Sequence, residues 1–416
     1  MKKAGACAGC GARALERVVS LGPMPPVNAF LAAGDLSREE AFPLDVHVCP
    51  RCWLVQLDPV VPPAKLFSDY TYLSSTSATM AAHLRELAGA LASRLALGPI
   101  SRVLELGSND GTFLAALQPT GARVLGVDPA ANVAARAEAA GVPTRVAFFS
   151  SETAPALRDE AGPFDLVVAL NVVAHTPDFV DLLAGARAAL ARGGTFVMEA
   201  AHVAQTILRG AIDTIYHEHV HCFSLHALVL ACARAGLTIV DVEALPHIQG
   251  GSLRVFARAT DEGPRVAPTV AATLAEEQHA GVTHLRAYAR VGALAERLRQ
   301  DLPARLRALR SADGRRRPVV AVGASARGVV LLNHCGLGPD DVDVVVDDTP
   351  LKQGKLVPGV HVPVRDWSAV PRDADLVVLL LAWNYRDELL AKLRALTTGA
   401  RVDVLIPLPK IEALSL

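Results

Sequence analysis

From Ile100 onward, short apolar runs alternate with longer Ala-rich stretches. "ISRVLELGSNDGTFLAAL", "ARVLGVDPA", "FDLVVALNVVAH" and "GGTFVMEA" each carry a brief β-branched run closed by Gly, Asp or Asn, which predicts buried strands. Alternation with helical stretches predicts a parallel sheet covered on both faces. "LTIVDVEAL" and "GSLRVFARA", separated by "PHIQG", predict a hairpin at its end. Residues from about 270 to 309 read as helical, with Leu294, Leu298 and Leu302 on one face, and Pro303 is expected to break or kink the run. After "GRRRP" a second strand–helix series begins: "VVAVGASARGVVLLNHCG", "DVDVVVDDTP", "ADLVVLLLAWNY" and "RVDVLIPLP". A second doubly wound α/β unit is therefore expected. The first seventy-odd residues differ, being rich in Pro and carrying cysteines. The expected division is 1–75, a small cysteine-bearing domain; 76–262, the first α/β domain; 263–311, a helical connector; and 312–416, the second α/β domain.

Composition narrows the class. A chain of 416 residues exceeds one ordinary core, in keeping with several domains. Half of it is hydrophobic and a fifth charged, a globular balance rather than a disordered one. With a formal charge of −1 there is no basic field to hold nucleic acid. No apolar run is long enough to cross a bilayer, so no membrane partner is expected. "MKKAGACAGC" has no apolar stretch behind its lysines, so a cytoplasmic location is expected. There the seven cysteines stay reduced, free for metal or packing. Monomer and dimer both remain open.

Cys7 and Cys10 ("CAGC") and Cys49 and Cys52 ("CPRC") form two Cys-x-x-Cys knuckles. Four thiolates complete a tetrahedron around Zn²⁺ and leave no open position, so a structural zinc is expected. The competing reading is unrelated thiols or a redox pair.

"VLELGSNDGTFL" reads as strand, Gly-rich turn and helix. Gly107 and Gly111 let the backbone approach a ligand, and Asn109 and Asp110 are expected to cap the helix. Asp128 ends the next strand, where an acid accepts ribose hydroxyls. The turn lacks the Gly-x-Gly-x-x-Gly spacing that admits a pyrophosphate, and Asp110 suits a cofactor bearing an ammonium group. These points favour S-adenosylmethionine (SAM). The segment looks like the first motif of class I methyltransferases. That resemblance implies a cofactor set of Glu105, Gly107, Asn109, Asp110 and Asp128, with Phe148 flanking adenine and Asn171 at the end of the fourth strand.

"IYHEHVHCFS" holds three histidines, a glutamate and a tyrosine. His217 and His221 have the i, i+4 spacing of a helical metal site, but His219 fills the place between them. A polar loop is the bland reading. The remaining one is acid–base chemistry, with His219 exchanging protons near neutrality and Glu218 or Tyr216 orienting it. Following the fifth candidate strand, the segment is expected at the carboxyl edge of the first sheet.

The order of the Cys₄ segment, "ELGSNDG", "IYHEHVHCFS", "GGSLR" and "VGASARG" resembles the sugar C-methyltransferases of deoxysugar and antibiotic biosynthesis. Its most specific marks are Tyr216, Glu218, His219, Phe223 and Ser224, together with the Gly-Ser-Asn-Asp-Gly loop. The resemblance implies a zinc-binding domain, a SAM methyltransferase domain and a C-terminal Rossmann-like domain around a nucleotide-linked keto-sugar. It implies His219 as general base, with Tyr216, Glu218 and His175 in the active site. Tyr70 and Tyr72 would close over sugar and cofactor, and Arg327 and Asn384, beside Trp383 and Tyr385, would grip the nucleotide end. Where the family often carries His before Gly-Gly, this chain has Gln249, with His247 nearby; both are counted on the substrate side. The implied chemistry is proton removal at C3 of a 4-keto sugar and attack of the enolate on the SAM methyl group. Three alternatives stand beside it: methylation of another keto-substrate, a zinc-ribbon adaptor that methylates RNA, and an NAD-dependent oxidoreductase using the second α/β unit, where Asp347 takes the ribose-acid position.

Overall fold

A computed structural model describes residues 5–416 apart from 69, 71, 249, 313 and 398. The cysteine-bearing segment folds as an antiparallel meander of β1 (Glu16–Met24), β2 (Phe42–Val48) and β3 (Val55–Leu57). The next unit supplies five parallel strands: β4 (Arg102–Leu106), β5 (Arg123–Asp128), β6 (Thr144–Val146), β7 (Phe164–Leu170) and β8 (Leu190–Ala201). A short β9 (His221–Cys222) follows, then the hairpin β10 (Leu237–Leu245) and β11 (Ser252–Ala259), which pairs antiparallel with β8. The C-terminal unit contains β12 (Val319–Val322), β13 (Val344–Val346), β14 (Val364–Arg365), β15 (Leu376–Leu380), β16 (Val402–Ile406) and an antiparallel β17 (Glu412–Ser415).

The seven-stranded sheet has the order β10-β11-β8-β7-β4-β5-β6, and the C-terminal sheet β14-β13-β12-β15-β16-β17. In both, the chain winds outward from one central strand and then returns to its other side. This puts a switch point between β4 and β7, and another between β12 and β15, and the loops that part there form a crevice. The central strands read as unbroken apolar runs because helices cover both faces: Leu104, Leu166, Val320 and Val378 are all buried.

β9 belongs to neither α/β sheet. It pairs with β3, matching Val55 with Cys222 and Gln56 with His221. The His-rich segment does leave from the end of β8, where Phe223 N–H donates to the Ala201 carbonyl. Its strand, however, completes the sheet of the cysteine segment.

The helical stretch divides into Pro268–His279 and Leu285–Arg310. Pro303 neither breaks nor ends the longer helix. An interior proline costs about 3 kcal/mol. Leu298, Leu302 and Leu306, on both sides of it, are buried, and each contributes about 1.5–3 kcal/mol. One apolar cluster joins Leu44 and Val46 of β2, Leu298 and Leu302 of this helix, and Val319 and Val345 of the C-terminal sheet. No helix among the described residues is long and apolar enough to cross a membrane.

The four knuckle sulfurs lie within 4.8 Å of one another. Cys7 Sγ is 3.4 Å from Cys52 Sγ, and Cys10 Sγ is 3.6 Å from Cys49 Sγ. A tetrahedron with Zn–S bonds of about 2.3 Å has edges of about 3.8 Å, so the set fits a structural zinc. The closest sulfurs come from opposite knuckles, which is the geometry of a shared ion rather than of two separate redox pairs. Cys49→Ser is expected to lower bound zinc below one per chain and the unfolding midpoint by about 10 °C, because loss of a structural ligand costs several kcal/mol. Metal analysis and calorimetry check this; full zinc and an unchanged midpoint would refute it.

Candidate active site

The carboxyl edges of the two parallel sheets face one cavity of about 470 Å³. Glu105 near the end of β4, Gly107 and Asn109 after it, Asp128 at the end of β5, Phe148 after β6, and Asn171 and His175 after β7 line one side. Ser325 and Arg327 after β12, Lys352 after β13, and Asn384 and Tyr385 after β15 line the other. Asn28, Phe67, Tyr70 and Tyr72 enter from the N-terminal segment, and Tyr216, Glu218 and His219 from the His-rich loop.

The cofactor side is built around Gly107, whose φ is +62°. A Cβ there would lie 2.3 Å from the Val172 side chain, so only glycine lets the loops after β4 and β7 meet. Asp128 is held at the tip of β5 by the N–H groups of Asn109 and Ala130, each 2.9 Å away. Glu105 is buried, and its Oε2 has no partner among the described residues. Burial, with Asp128 beside it, pushes its pKa well above the usual carboxylate range. A buried carboxylate in that state is stabilised by an incoming cation, and the ammonium group of SAM is one. The Phe148 ring, half exposed at the cavity edge, is free to stack on a base.

Asn109 and Asp110 do not cap the helix. The N-cap is Gly111, with no side-chain cap bond. Asn109 Oδ1 instead accepts the Ser74 N–H at 2.9 Å, and its Nδ2 donates to the Tyr72 carbonyl at 3.1 Å. Asp110 accepts the Ser75 N–H at 3.0 Å and the Thr112 hydroxyl at 2.6 Å, and it does not border the cavity. The segment around Tyr72–Ser75 lies over the loop as a strap, and its backbone groups outcompete the helix for these side chains.

On the reactive side, His219 Nδ1 is 2.7 Å from the Thr214 carbonyl. A carbonyl only accepts, so Nδ1 carries the proton and Nε2 holds the lone pair. The Tyr216 hydroxyl lies 2.7 Å from Nε2 and donates to it. Burial, aided by the Arg327 charge, pushes the His219 pKa down to about 4, so the ring is neutral at pH 7. His175 stacks on Phe67, 5.1 Å from the His219 ring, and burial holds it neutral as well. Glu218 accepts from Asn28 Nδ2 at 2.6 Å and from the Tyr70 hydroxyl at 3.1 Å, and burial pushes its pKa up to about 7.

The other histidines of the loop turn elsewhere. His217 Nε2 meets the Phe42 carbonyl at 3.1 Å, and His221 Nε2 the Pro177 carbonyl at 3.4 Å. Among the described residues, only the four cysteines gather as a metal-binding group.

Across the cavity, the Arg327 guanidinium lies 4.8 Å over the Trp383 ring, and Lys352 Nζ donates to the Ala324 carbonyl at 2.9 Å. Trp383 packs beneath Arg327 and does not line the cavity. Asp347, the ribose acid of the dinucleotide reading, does not border the cavity either. Its carboxylate accepts the Ala324 N–H at 2.7 Å and the Thr349 N–H at 2.9 Å, which holds its own loops. Gly323 serves packing there, since a Cβ would meet Ala382 at 2.6 Å. His247 is exposed in the turn after β10, away from the cavity lining, and Gln249 lies outside the described residues. Sequence reasoning missed Asn28 and Lys352. Lys352 follows β13 at the switch-point edge, a position that the rule for open α/β sheets marks. Nothing local singles out Asn28.

A Gly-rich loop and a cluster of Tyr, Glu and His around one cavity, together with a Cys₄ knuckle pair elsewhere in the chain, define a zinc-bearing SAM-dependent methyltransferase. The chain belongs to the C-methyltransferase family. Family models match residues 7–67 ("Putative zinc binding domain"), 80–242 ("Methyltransferase domain") and 247–409 ("C-methyltransferase C-terminal domain"). The chain is similar to the C-methyltransferase NovU of Streptomyces niveus, at 36% identity over 407 residues, covering 97% of this chain and 96% of that one. The Ubiquinone biosynthesis O-methyltransferase of a Methylobacterium is 34% identical over 122 residues, 28% of this chain and 47% of that one. A solved SAM-dependent methyltransferase from Mesorhizobium loti aligns over 42% of this chain and 99% of its own at 22% identity, with a TM-score of 0.32, too low to carry an argument.

Burial raises the Glu105 pKa, so if the SAM ammonium group binds beside it, binding is expected to release a proton from Glu105. Affinity should therefore rise with pH above the ordinary carboxylate range, by at most about tenfold per pH unit, and Glu105→Gln should abolish that slope. Calorimetry in buffers of different ionisation heat measures it; binding without proton release would rule it out.

Proposed function

We propose that this C-methyltransferase methylates C3, the carbon beside the ketone, of a nucleotide-linked 4-keto-deoxysugar. The observation that carries the reading is the His219–Tyr216 pair. One imidazole nitrogen is committed to Thr214, and the other is a bare lone pair capped only by a phenol hydroxyl. A neutral, desolvated imidazole is a base that works without first losing a proton. When a keto-sugar enters, the Tyr216 hydroxyl turns from Nε2 to the ketone oxygen. That single movement uncovers the base and supplies a donor to the oxyanion.

The proton of C3 then passes to His219 Nε2, and the Thr214 carbonyl steadies the imidazolium through Nδ1–H. Charge from the C–H bond spreads onto the ketone oxygen, next to Tyr216 and the neutral His175. Bound SAM supplies an electrophilic methyl group on a sulfonium, the partner that an enolate carbon needs. Glu105, Gly107, Asn109, Asp128, Phe148 and Asn171 would hold it. Tyr70 and Tyr72 exclude water from above, and water exclusion strengthens each of these contacts. Arg327, Lys352 and Asn384 line the side of the cavity formed by the C-terminal sheet, where a diphosphate would find two cations.

The similarity to a C-methyltransferase supports carbon as the acceptor, and the base opposite the cofactor loop supports a carbon acidified by a ketone. His219→Asn is expected to bind SAM within about twofold of wild type, since the residue lies outside the cofactor loop, yet to lose methylation and deuterium wash-in at C3 by about 10²-fold or more. Tyr216→Phe should slow both by about 10²–10³-fold through loss of the oxyanion donor. Mass spectrometry over a panel of keto-sugar nucleotides reads both effects. Normal exchange in His219→Asn would remove it as the base, and turnover of no keto-sugar would overturn the reading.

A further inference from the structure

Asp213 sits in the turn Ile212–Thr214, fully buried, one residue before the carbonyl that fixes His219. Its Oδ2 accepts the Trp383 indole N–H at 2.7 Å and lies 3.3 Å from Arg327 Nε. Both partners come from the C-terminal sheet, from the loops after β15 and β12. The guanidinium is thus bounded by an aromatic plate on one face and a carboxylate at its Nε edge.

Other arginines of low exposure have their terminal nitrogens engaged. Arg254 reaches Glu199 and Glu243, Arg310 holds Asp343 and the Asp340 carbonyl, and Arg317 holds Asp403 and the Leu309 carbonyl. In Arg310 and Arg317 only Nε is left without a hydrogen-bond partner among the described residues. Arg327 borders the cavity; Asp213 Oδ2 pairs with its Nε as an ion pair at 3.3 Å, and neither Nε nor Nη2 has a hydrogen-bond partner among the described residues. A guanidinium held at Nε keeps its terminal N–H groups for a planar or tetrahedral anion.

We infer that Asp213 is a positioning residue: it holds Arg327 by the Nε edge so that the terminal N–H groups meet the substrate diphosphate, and it joins that contact to the turn that orients His219. The inference rests on the proposed binding of a nucleotide-linked sugar. Asp213 itself touches neither sugar nor cofactor. It neutralises the arginine in the free enzyme and yields no terminal nitrogen in doing so. Through Thr214, the adjacent residue, the same turn sets the imidazole.

Asp213→Asn tests this in the full-length zinc enzyme, because the amide oxygen still accepts the Trp383 N–H while the charge is lost. Affinities for uridine diphosphate, thymidine diphosphate and SAM are measured by calorimetry for wild type, Asp213→Asn, Arg327→Gln and the double variant. Each single change is expected to weaken the better-bound nucleoside diphosphate by about tenfold or more, with the double variant no weaker than Arg327→Gln. SAM affinity and the unfolding midpoint should stay close to wild type. If Arg327→Gln weakens the diphosphate and Asp213→Asn does not, the positioning role is overturned and the substrate reading stands. If neither weakens it, the diphosphate reading falls and the inference with it. Equal loss of SAM and diphosphate affinity, with a lower midpoint, would show a purely structural role and also overturn it. Should Asp213→Asn fail to fold, Trp383→Phe removes one anchor and keeps the charge; weaker diphosphate binding then supports the inference, and unchanged binding refutes it.

Discussion

Two parallel sheets can share a cavity only if something holds their carboxyl edges face to face. Here an apolar cluster contributes, drawing on the zinc segment, the helix Leu285–Arg310, the C-terminal sheet and, from the segment that follows β8, Val203, Ile212 and Ile215. The pairing of β3 with β9 adds backbone bonds between the zinc segment and the His-rich loop. The zinc segment therefore stands beneath the reactive loop as a foundation. Such a small segment builds little core of its own, and the metal supplies the rigidity that the loop above it needs.

Burial then sets the chemistry. Every acidic or basic group at the reactive centre is shifted toward its neutral form by loss of water. His219 and His175 are pushed down, and Glu218 and Glu105 up. The cations come from the C-terminal sheet, with Arg327 held beside Asp213 and Lys352 against the Ala324 carbonyl. The strap over the cofactor loop follows the same economy of partners, since Asn109 and Asp110 bond its backbone rather than the helix they precede.

Much of this was legible along the chain. The Cys-x-x-Cys pairs announced a zinc site, the alternating apolar runs announced two α/β sheets, and the turn around Gly107 announced SAM. Each signal is decided within a few residues. A knuckle, a tight turn or a buried strand needs particular side chains at fixed short spacing, wherever the segment finally docks. The crowding of Tyr216, Glu218 and His219 likewise marked a group that the fold brings to the cavity.

Only the tertiary structure decided which groups meet. It separated His219, whose Nε2 meets the Tyr216 hydroxyl at the cavity, from His217 and His221, which turn to backbone carbonyls. It carried the helix through Pro303, because flanking burial outweighs one lost backbone bond. It brought Asn28 to Glu218 across 190 positions, and Trp383 to Asp213 across 170. Turn and strand preferences are local free energies and can be read from neighbours in sequence. Partners so far apart are chosen by how cores dock, and no pattern along the chain encodes that choice.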